Sequence, residues 1–391
     1  MRLTIVQYAG DYREAFNRFR LGGKQTYQAQ RYSVDLVSEI SRRVEELTVI
    51  CALTEEAYDD ILPNGVRVIG GGFKQGFRLA LFADLLDRAS PTCLWVSTPI
   101  PSVLNWALQR KIPTIAVLAD SFNTTGVKAW IKKKRIAGML NKPTIRWVAN
   151  HGLGACLSLQ NIGVNPEKII PWDWPASSEP SDFSTRERRS IGPFTVLYVG
   201  SVSEAKGVGD LLKAATRFNN PRGNVQFRVV GMDAAGAMQK HSDRLDLSKI
   251  VTFAGLVPNE DIVSEMRRAD IVVVPSRHEY PEGMPLTIYE ALSARTPIVA
   301  SDHPMFRRAL IDRETAVIFK AGNSEHLAHE IRMLLSDPAL YKRLSTNSVD
   351  AWNRLQLPVT WGALLKAWIA SDSDSEDWLY KHRLDSGIYD F

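Results

Sequence analysis

The chain has 391 residues, 45% of them apolar and 23% charged, which predicts two or three globular domains, each large enough to bury its own core. No run of about 18 apolar residues occurs, which excludes a predicted membrane span, and the opening Met-Arg-Leu-Thr-Ile-Val-Gln is too short an apolar run for a signal peptide. The net charge of +5 argues little by itself, and Cys51, Cys93 and Cys156 lack metal-ligand spacing, which suits three reduced core thiols in a cytoplasmic protein.

Leu3 to Gln7 reads as the first strand. Tyr8 to Leu21 reads as a long loop carrying Arg13, Arg18 and Arg20, and the Gly22-Gly23 pair then opens a helix. Those glycines either let the backbone approach a ligand or form a plain tight turn. Leu47 to Ala52, Val66 to Gly70, Cys93 to Ser97 and Thr114 to Leu118 read as further strands with helices between several of them, the alternation of a parallel, doubly wound sheet. Ligands of such a sheet sit at the carboxyl ends of its strands. One such end is Leu118-Ala119-Asp120, where Asp120 either contacts a substrate or caps a helix.

Charge is most uneven over the next stretch. Ser121 to Pro166 contains no acid, while Lys128, Lys132, Lys133, Lys134, Arg135, Lys142 and Arg146 stand among Trp130, Ile131, Ile136, Met139, Leu140 and Trp147. Basic residues with interfacial tryptophans over Lys128 to Arg146 suit an amphipathic segment on an anionic membrane surface. A solvated basic face is the alternative, and nothing here resembles a nucleic-acid recognition fold. His151 lies near a helix start, where it caps the helix or meets a substrate. Residues 176–192 are rich in Ser, Pro, Glu and Arg without apolar periodicity and read as an interdomain linker.

The second half repeats the alternation. Phe194 to Gly200 is a strand, followed by Ser201-Val-Ser-Glu-Ala-Lys206-Gly207 and a helix; Val225 to Gly231 and Val251 to Gly255 are the next strands. Ile271 to Val274 is a β-branched run bounded by Asp270 and Pro275, the signature of a buried parallel strand. A loop rich in glycine and proline follows, then a helix from Leu286, then a strand from Pro297 to Ala300. A strand, a loop and a helix N-terminus form an anion site, because free N–H groups and the positive end of the helix dipole point the same way. Glu282 in the loop and Glu290 in the helix frame it. A diphosphate suits the amides of Gly283, Met284 and Leu286, Pro285 itself donating nothing, and a carboxylate can accept from both hydroxyls of a vicinal diol. The final stretch, Trp352 to Ile369, is amphipathic; Ser371 to Asp377 reads as a loose acidic tail whose Asp372-Ser-Asp374 has the form of a metal-binding pair but follows no strand.

Glu282-Gly-Met-Pro-Leu-Thr-Ile-Tyr-Glu290-Ala-Leu, with Thr296-Pro-Ile-Val-Ala-Ser-Asp302, resembles the E-x7-E signature of the retaining glycosyltransferases of family four, glycosyltransferase group 1. Ile311 to Phe319, Asn323 to Leu327 and Asn161 to Trp172 resemble further family segments; the likeness covers residues 194–340 well and the first half loosely. It implies the GT-B fold, two Rossmann-like domains facing across a cleft: an acceptor-binding domain over 1–175, the linker over 176–192, a nucleotide-sugar domain over 193–350, and a helix crossing back to the first domain, with a tail, over 351–391. It implies donor binding by Gly22, Gly23, Gly200, Ser201, Lys206, Arg277, Glu282, Gly283, Met284, Pro285, Leu286 and Glu290. Asp120, Lys206 and Glu282 are the implied catalytic residues.

Two positions depart from the family. Ala119 stands where a histidine helps position sugar and acceptor, leaving Asp120 to contact the acceptor hydroxyl. Ser201 stands where an arginine and the matched Lys206 would together neutralise the donor diphosphate; Arg277 or a first-loop arginine could substitute. The expected function is transfer of a sugar, with retention, from a nucleotide-sugar to a glycan or lipid-linked acceptor, in cell-surface polysaccharide or glycolipid biosynthesis. No metal or other cofactor is required by this design, because the protein supplies the positive charge. The expected location is cytoplasmic, peripheral on the inner face of the membrane. Rival readings are a nucleotide-sugar epimerase or hydrolase of the same fold, and a non-catalytic partner subunit.

Overall fold

The structure is a computed structural model that describes residues 1–76, 79–122, 126–219 and 224–389. The chain divides into two units, the first formed by residues 1–25, 29–175 and 357–391 and the second by 26–28 and 176–356.

The first unit is built on one sheet. Its strands are β1 (Arg2–Gln7), β2 (Glu46–Cys51), β3 (Ala57–Ile61), β4 (Arg67–Gly71), β5 (Cys93–Val96), β6 (Thr114–Leu118), β7 (Ile145–His151) and β8 (Ile169–Trp172). Their order is β3-β4-β2-β1-β5-β6-β7-β8, parallel throughout except for β3 against β4. Successive residues feed opposite faces: Ile5 and Trp95 enter one core, Val6 and Leu94 the other. Both faces are covered by apolar side chains, so the central strands read as unbroken apolar runs. The outer strand β3, Ala-Tyr-Asp-Asp-Ile, is mostly exposed and carries its charge on the sheet edge, where charge discourages pairing with another chain. Its polar sequence hides it from hydrophobic pattern.

The expected loop over Tyr8 to Leu21 is instead largely a helix, Tyr12–Arg20. Asp11 caps it by accepting from the Glu14 N–H, and Tyr12, Ala15 and Phe19 bury one stripe. Gly22, at φ +79°, and Gly23 therefore end a helix rather than open one. A Cβ at Gly23 would lie 2.8 Å from the Arg18 carbonyl oxygen, which the Gly23 N–H already contacts. The tail is not loose either: Ser373–Lys381 is a helix whose Asp372 carboxylate accepts from Ser375 N–H, so the acids cap and lead a helix.

Leu357 to Phe391 is part of the first unit. Thr360 bridges to Asp173 just beyond β8, with Asp173 N–H donating to Val359 and Trp361 N–H donating to Asp173. Trp361 then meets Trp95 edge-on at 5.4 Å and stacks on Trp174 at 5.6 Å. His151 at the end of β7 is buried, and its Nε2 lies 2.9 Å from Asp173 Oδ1. That pair holds the same junction, which is a structural duty.

The second unit has a six-stranded parallel sheet. Its strands are β9 (Phe194–Val199), β10 (Val225–Val230), β11 (Val251–Gly255), β12 (Ile271–Val274), β13 (Ile298–Ser301) and β14 (Val317–Phe319), in the order β11-β10-β9-β12-β13-β14. The direction of winding reverses between β9 and β12, which places the ligand crevice at their carboxyl ends. The expected linker, 176–192, packs onto this unit. Arg186 donates to the Ala269 carbonyl at 2.6 Å and to Thr296 Oγ1 at 2.7 Å, while Arg189 pairs with buried Asp270. Its lack of apolar periodicity reflects anchoring by arginines instead of by a hydrophobic stripe.

Trp361→Ala is expected to remove the aromatic anchor of the C-terminal helices at a cost of about 3–5 kcal/mol. Amide hydrogen exchange should rise across residues 361–381 and stay unchanged in β9 to β14; unaltered exchange over 361–381 would disprove the anchoring role.

Candidate active site

The two loops at the reversal point are held together by backbone. Gly207 has φ +77°, and a Cβ there would lie 2.0 Å from the Pro275 carbonyl oxygen, so only glycine permits the approach. Arg277 N–H donates to the Ala205 carbonyl at 3.0 Å. Side chains reinforce this contact. Arg277 grips Asp210 with two parallel bonds of 2.7 and 2.8 Å and reaches Glu204 at 2.6 Å. These acids raise its pKa, by hydrogen bonding to Asp210 first and despite partial burial. Arg277 is thus a clamp between loops, its charge matched by two carboxylates.

The clamp sets Lys206 against Glu282, with Nζ 2.5 Å from Oε1, and lays the ammonium over the Tyr280 ring at 4.3 Å. Glu282 is buried and also accepts from Ser276 Oγ at 2.7 Å. A buried carboxylate needs such partners, since desolvation otherwise favours its protonated form. His303 steadies the loop from below. Burial lowers its pKa, so the ring is neutral, with Nε2–H donating to the Tyr280 carbonyl at 3.1 Å and Nδ1 accepting from Met305 N–H at 3.3 Å.

Past Glu282 the loop supplies donors. Gly283 and Met284 are buried, and their N–H groups have no hydrogen-bond partner among the described residues. Pro285 precedes the helix Leu286–Ser293, whose first turn adds the Leu286 N–H. Buried, unpaired N–H groups at a helix start are what an anion fills.

Glu290 lies in that helix and lines a pocket of about 290 Å³ with Gly200, Ser201, Met232, Leu256 and Asn259. Pockets for small molecules start at roughly this size. The Glu290 carboxylate is buried and receives one bond, from Asn259 Nδ2 at 2.6 Å. Burial pushes its pKa up from 4.5 to about 7, the Asn259 bond pulling the other way. Two carboxylates eight residues apart therefore sit in different states: Glu282 with a cation, Glu290 with a neutral amide.

Ten of the expected site residues stand around this carboxyl edge: Gly200, Ser201, Lys206, Arg277, Glu282, Gly283, Met284, Pro285, Leu286 and Glu290. Gly22, Gly23 and Asp120 belong to the first unit. Asp120 follows β6 and is half-buried; desolvation raises its pKa, and its carboxylate has no partner among the described residues. It caps no helix, since the next one starts at Val127 after Gly126. Of the first-loop arginines, Arg13 pairs with Asp60 and Glu56 and Arg18 with Glu14, while Arg20 is exposed and forms no ion pair among the described residues. Sequence reasoning missed Asn259, Ser276, Tyr280 and Asp210. Only Asp210 left a signal, an acid within the otherwise apolar Val208-Gly-Asp-Leu-Leu face.

Residues 182–350 match the family model described as glycosyl transferases group 1. Among curated proteins the chain is 29% identical over 154 residues to an alpha-D-kanosaminyltransferase of Streptomyces kanamyceticus, covering 39% of each chain. It is 30% identical over 175 residues to a phosphatidyl-myo-inositol mannosyltransferase of Mycobacterium leprae, covering 44% of this chain and 46% of that one. The chain thus spans under half the length of the curated relatives it matches. Among solved structures, the sucrose-phosphate synthase of Thermosynechococcus elongatus aligns with a TM-score of 0.67 at 16% identity, over 95% of this chain and 99% of that one. HepE of Anabaena, in complex with UDP and glucose, aligns at 0.63 and 16% identity, over 95% and 98%. At such identity the likeness is one of fold, and the fold is GT-B.

The raised pKa of Glu290 carries a stability prediction. A carboxylate with a folded pKa of about 7 against an unfolded 4.5 favours folding fully below the unfolded value, and that favour is lost as pH rises through 7. At about 1.4 kcal/mol per pKa unit, Glu290→Gln should stabilise the ligand-free protein by on the order of 2–3 kcal/mol at pH 8 and hardly at all near pH 5. Thermal unfolding of both proteins at the two pH values checks it. A gap that does not grow with pH would contradict the ionised, buried state.

Proposed function

We propose that this chain, whose residues 182–350 match the glycosyl transferases group 1 model, moves a sugar from a nucleotide-sugar to an acceptor hydroxyl with retention of configuration. The observation that carries this is the pair of buried, unpaired N–H groups at Gly283 and Met284, next to the Lys206–Glu282 pair. A diphosphate fits the amides and the Lys206 ammonium. The donor sugar fits Glu282, and the ribose diol fits Glu290. Negative charge grows on the leaving diphosphate as the glycosidic bond opens, and donors already aimed at it stabilise the transition state above the ground state. Asp120 is our candidate for contact with the acceptor hydroxyl. No metal is needed in this scheme. The UDP in the HepE structure supports a nucleotide donor. The phosphatidyl-myo-inositol named for the mannosyltransferase relative supports a glycolipid or cell-surface glycan acceptor.

Lys206→Ala should lower kcat by on the order of 10²–10³, with Lys206→Arg retaining part of it. Chelator should leave the wild type unaffected. Steady-state kinetics at saturating donor, chosen from a thermal-shift screen of UDP-, GDP- and ADP-sugars, tests both. Normal turnover by Lys206→Ala would move the charge stabilisation elsewhere, and loss of wild-type activity with chelator would end the metal-free scheme.

We further propose that the basic segment binds an anionic membrane. The helix Val127–Leu140 buries Ile136, Ala137, Met139 and Leu140 but leaves Val127, Trp130 and Ile131 exposed among Lys128, Lys132, Lys134 and Arg135. Arg146 instead faces Glu376 at 3.8 Å. Serine at Lys132, Lys133, Lys134 and Arg135 should release the protein from phosphatidylglycerol vesicles, each charge contributing about 1 kcal/mol. Wild-type protein that fails to sediment with such vesicles at low salt would rule the surface out.

A further inference from the structure

We infer that Asn259 is a positioning residue of the donor site: its side-chain amide holds the Glu290 carboxylate in the orientation and charge state that accept the ribose diol. The inference rests on the reading of Glu290 as the group that holds the donor ribose.

The two residues reach the pocket from different elements. Asn259 is the first residue of the helix Asn259–Arg268, which follows β11, and Glu290 stands in the helix that follows β12. Both are buried, at 8% and 7% exposure, and both line the same pocket. The Nδ2 to Oε1 distance is 2.6 Å, and no other side chain bonds this carboxylate among the described residues. A bond to one oxygen restrains the carboxylate and leaves the second oxygen for a ligand.

Among the described residues no charged side chain pairs with Glu290. Tyr27 is the other titratable residue lining the pocket. Glu260 and Asp261 are exposed at the start of the Asn259 helix. Arg267 donates to the Ala294 carbonyl, and Lys342 of the helix Pro338–Leu355 pairs with Glu187. Lys206 and Arg277 are matched by their own acids. The amide of Asn259 is therefore what favours the ionised form against burial. An ionised carboxylate accepts from both hydroxyls of a diol, whereas a protonated one spends an oxygen on its own proton. Losing the amide makes the ionised form rarer at neutral pH, so the variant needs a higher pH for the same ribose affinity.

The test is calorimetric binding to the whole chain from pH 5.5 to 9. The probes are UDP, ADP and GDP, each beside its 2′,3′-dideoxy counterpart, which carries the same titrating phosphates. The readout is the ribose preference, the ratio of the two affinities. In the wild type it should grow as pH rises through about 7. In Asn259→Ala it should fall on the order of tenfold at pH 7, as for one lost bond to a charged group, and its rise should move to higher pH. Glu290→Gln should show no rise. Asn259→Ser, whose hydroxyl stops short of Glu290, serves where the alanine variant does not fold. A wild-type preference and pH profile retained in the Asn259 variants would overturn the inference while leaving the role of Glu290 intact. No ribose preference in the wild type would overturn both.

Discussion

The second unit depends on one close approach, that of Gly207 to the carbonyl of Pro275. Without a side chain at 207 the loop after β9 lies directly on the loop after β12. The polar contacts between the two loops then follow from that distance. Arg277 can span to Asp210 because the loops touch, and Lys206 can reach Glu282, 76 residues away in sequence. Asp210 and Glu282 are both buried acids. Removing the partner of a buried charge costs far more than a surface ion pair contributes. The clamp and the site are therefore one network, and the loops cannot separate without exposing or stranding charge.

Within that network the two glutamates of the E-x7-E pattern are differentiated by environment. Glu282 gains a cation and a hydroxyl as partners. Burial pushes the Glu290 pKa up to about 7, against the pull of the Asn259 amide. In the proposed chemistry the first faces the donor sugar beside the breaking bond, and the second grips a sugar hydroxyl pair remote from it. Identical residue types acquire separate duties through what surrounds them.

The interior strands were legible because burial on both faces writes continuous β-branched runs; Ile271 to Val274 is the clearest. The strand β3 was not, because its pairing with β4 specifies it and its own residues are polar. Helix Tyr12–Arg20 was read as loop because its buried stripe holds Tyr12, Ala15 and Phe19 among three arginines, a weak apolar signal beside a strong charge signal. At the site, Glu282, Glu290 and Lys206 could be found through a linear motif. Asn259 could not. It lies 31 residues from its partner, and only the adjacency of the segments after β11 and β12 at one carboxyl edge brings them together. For Arg277 the sequence shows a cation without showing the acids that pair with it.

The departure at Ser201 takes its meaning from those acids. Arg277, Arg13 and Arg18 each already pair with carboxylates, so recruiting one to a diphosphate would leave its acids unpaired. For Arg277 the stranded acid would be Asp210, at 2% exposure. Such an exchange gains one ion pair and loses another in a less polar place. Lys206 differs, because Glu282 keeps the Ser276 hydroxyl if the ammonium turns toward a phosphate. In the proposed reaction the charge then falls on Lys206 and on the N–H groups of Gly283, Met284 and Leu286. Those N–H groups are fixed by the backbone and need no reorganisation as charge develops. A chain that lacks the arginine can in this way still stabilise a leaving diphosphate, provided the loop that aims its amides is held rigid. The Arg277 clamp supplies that rigidity.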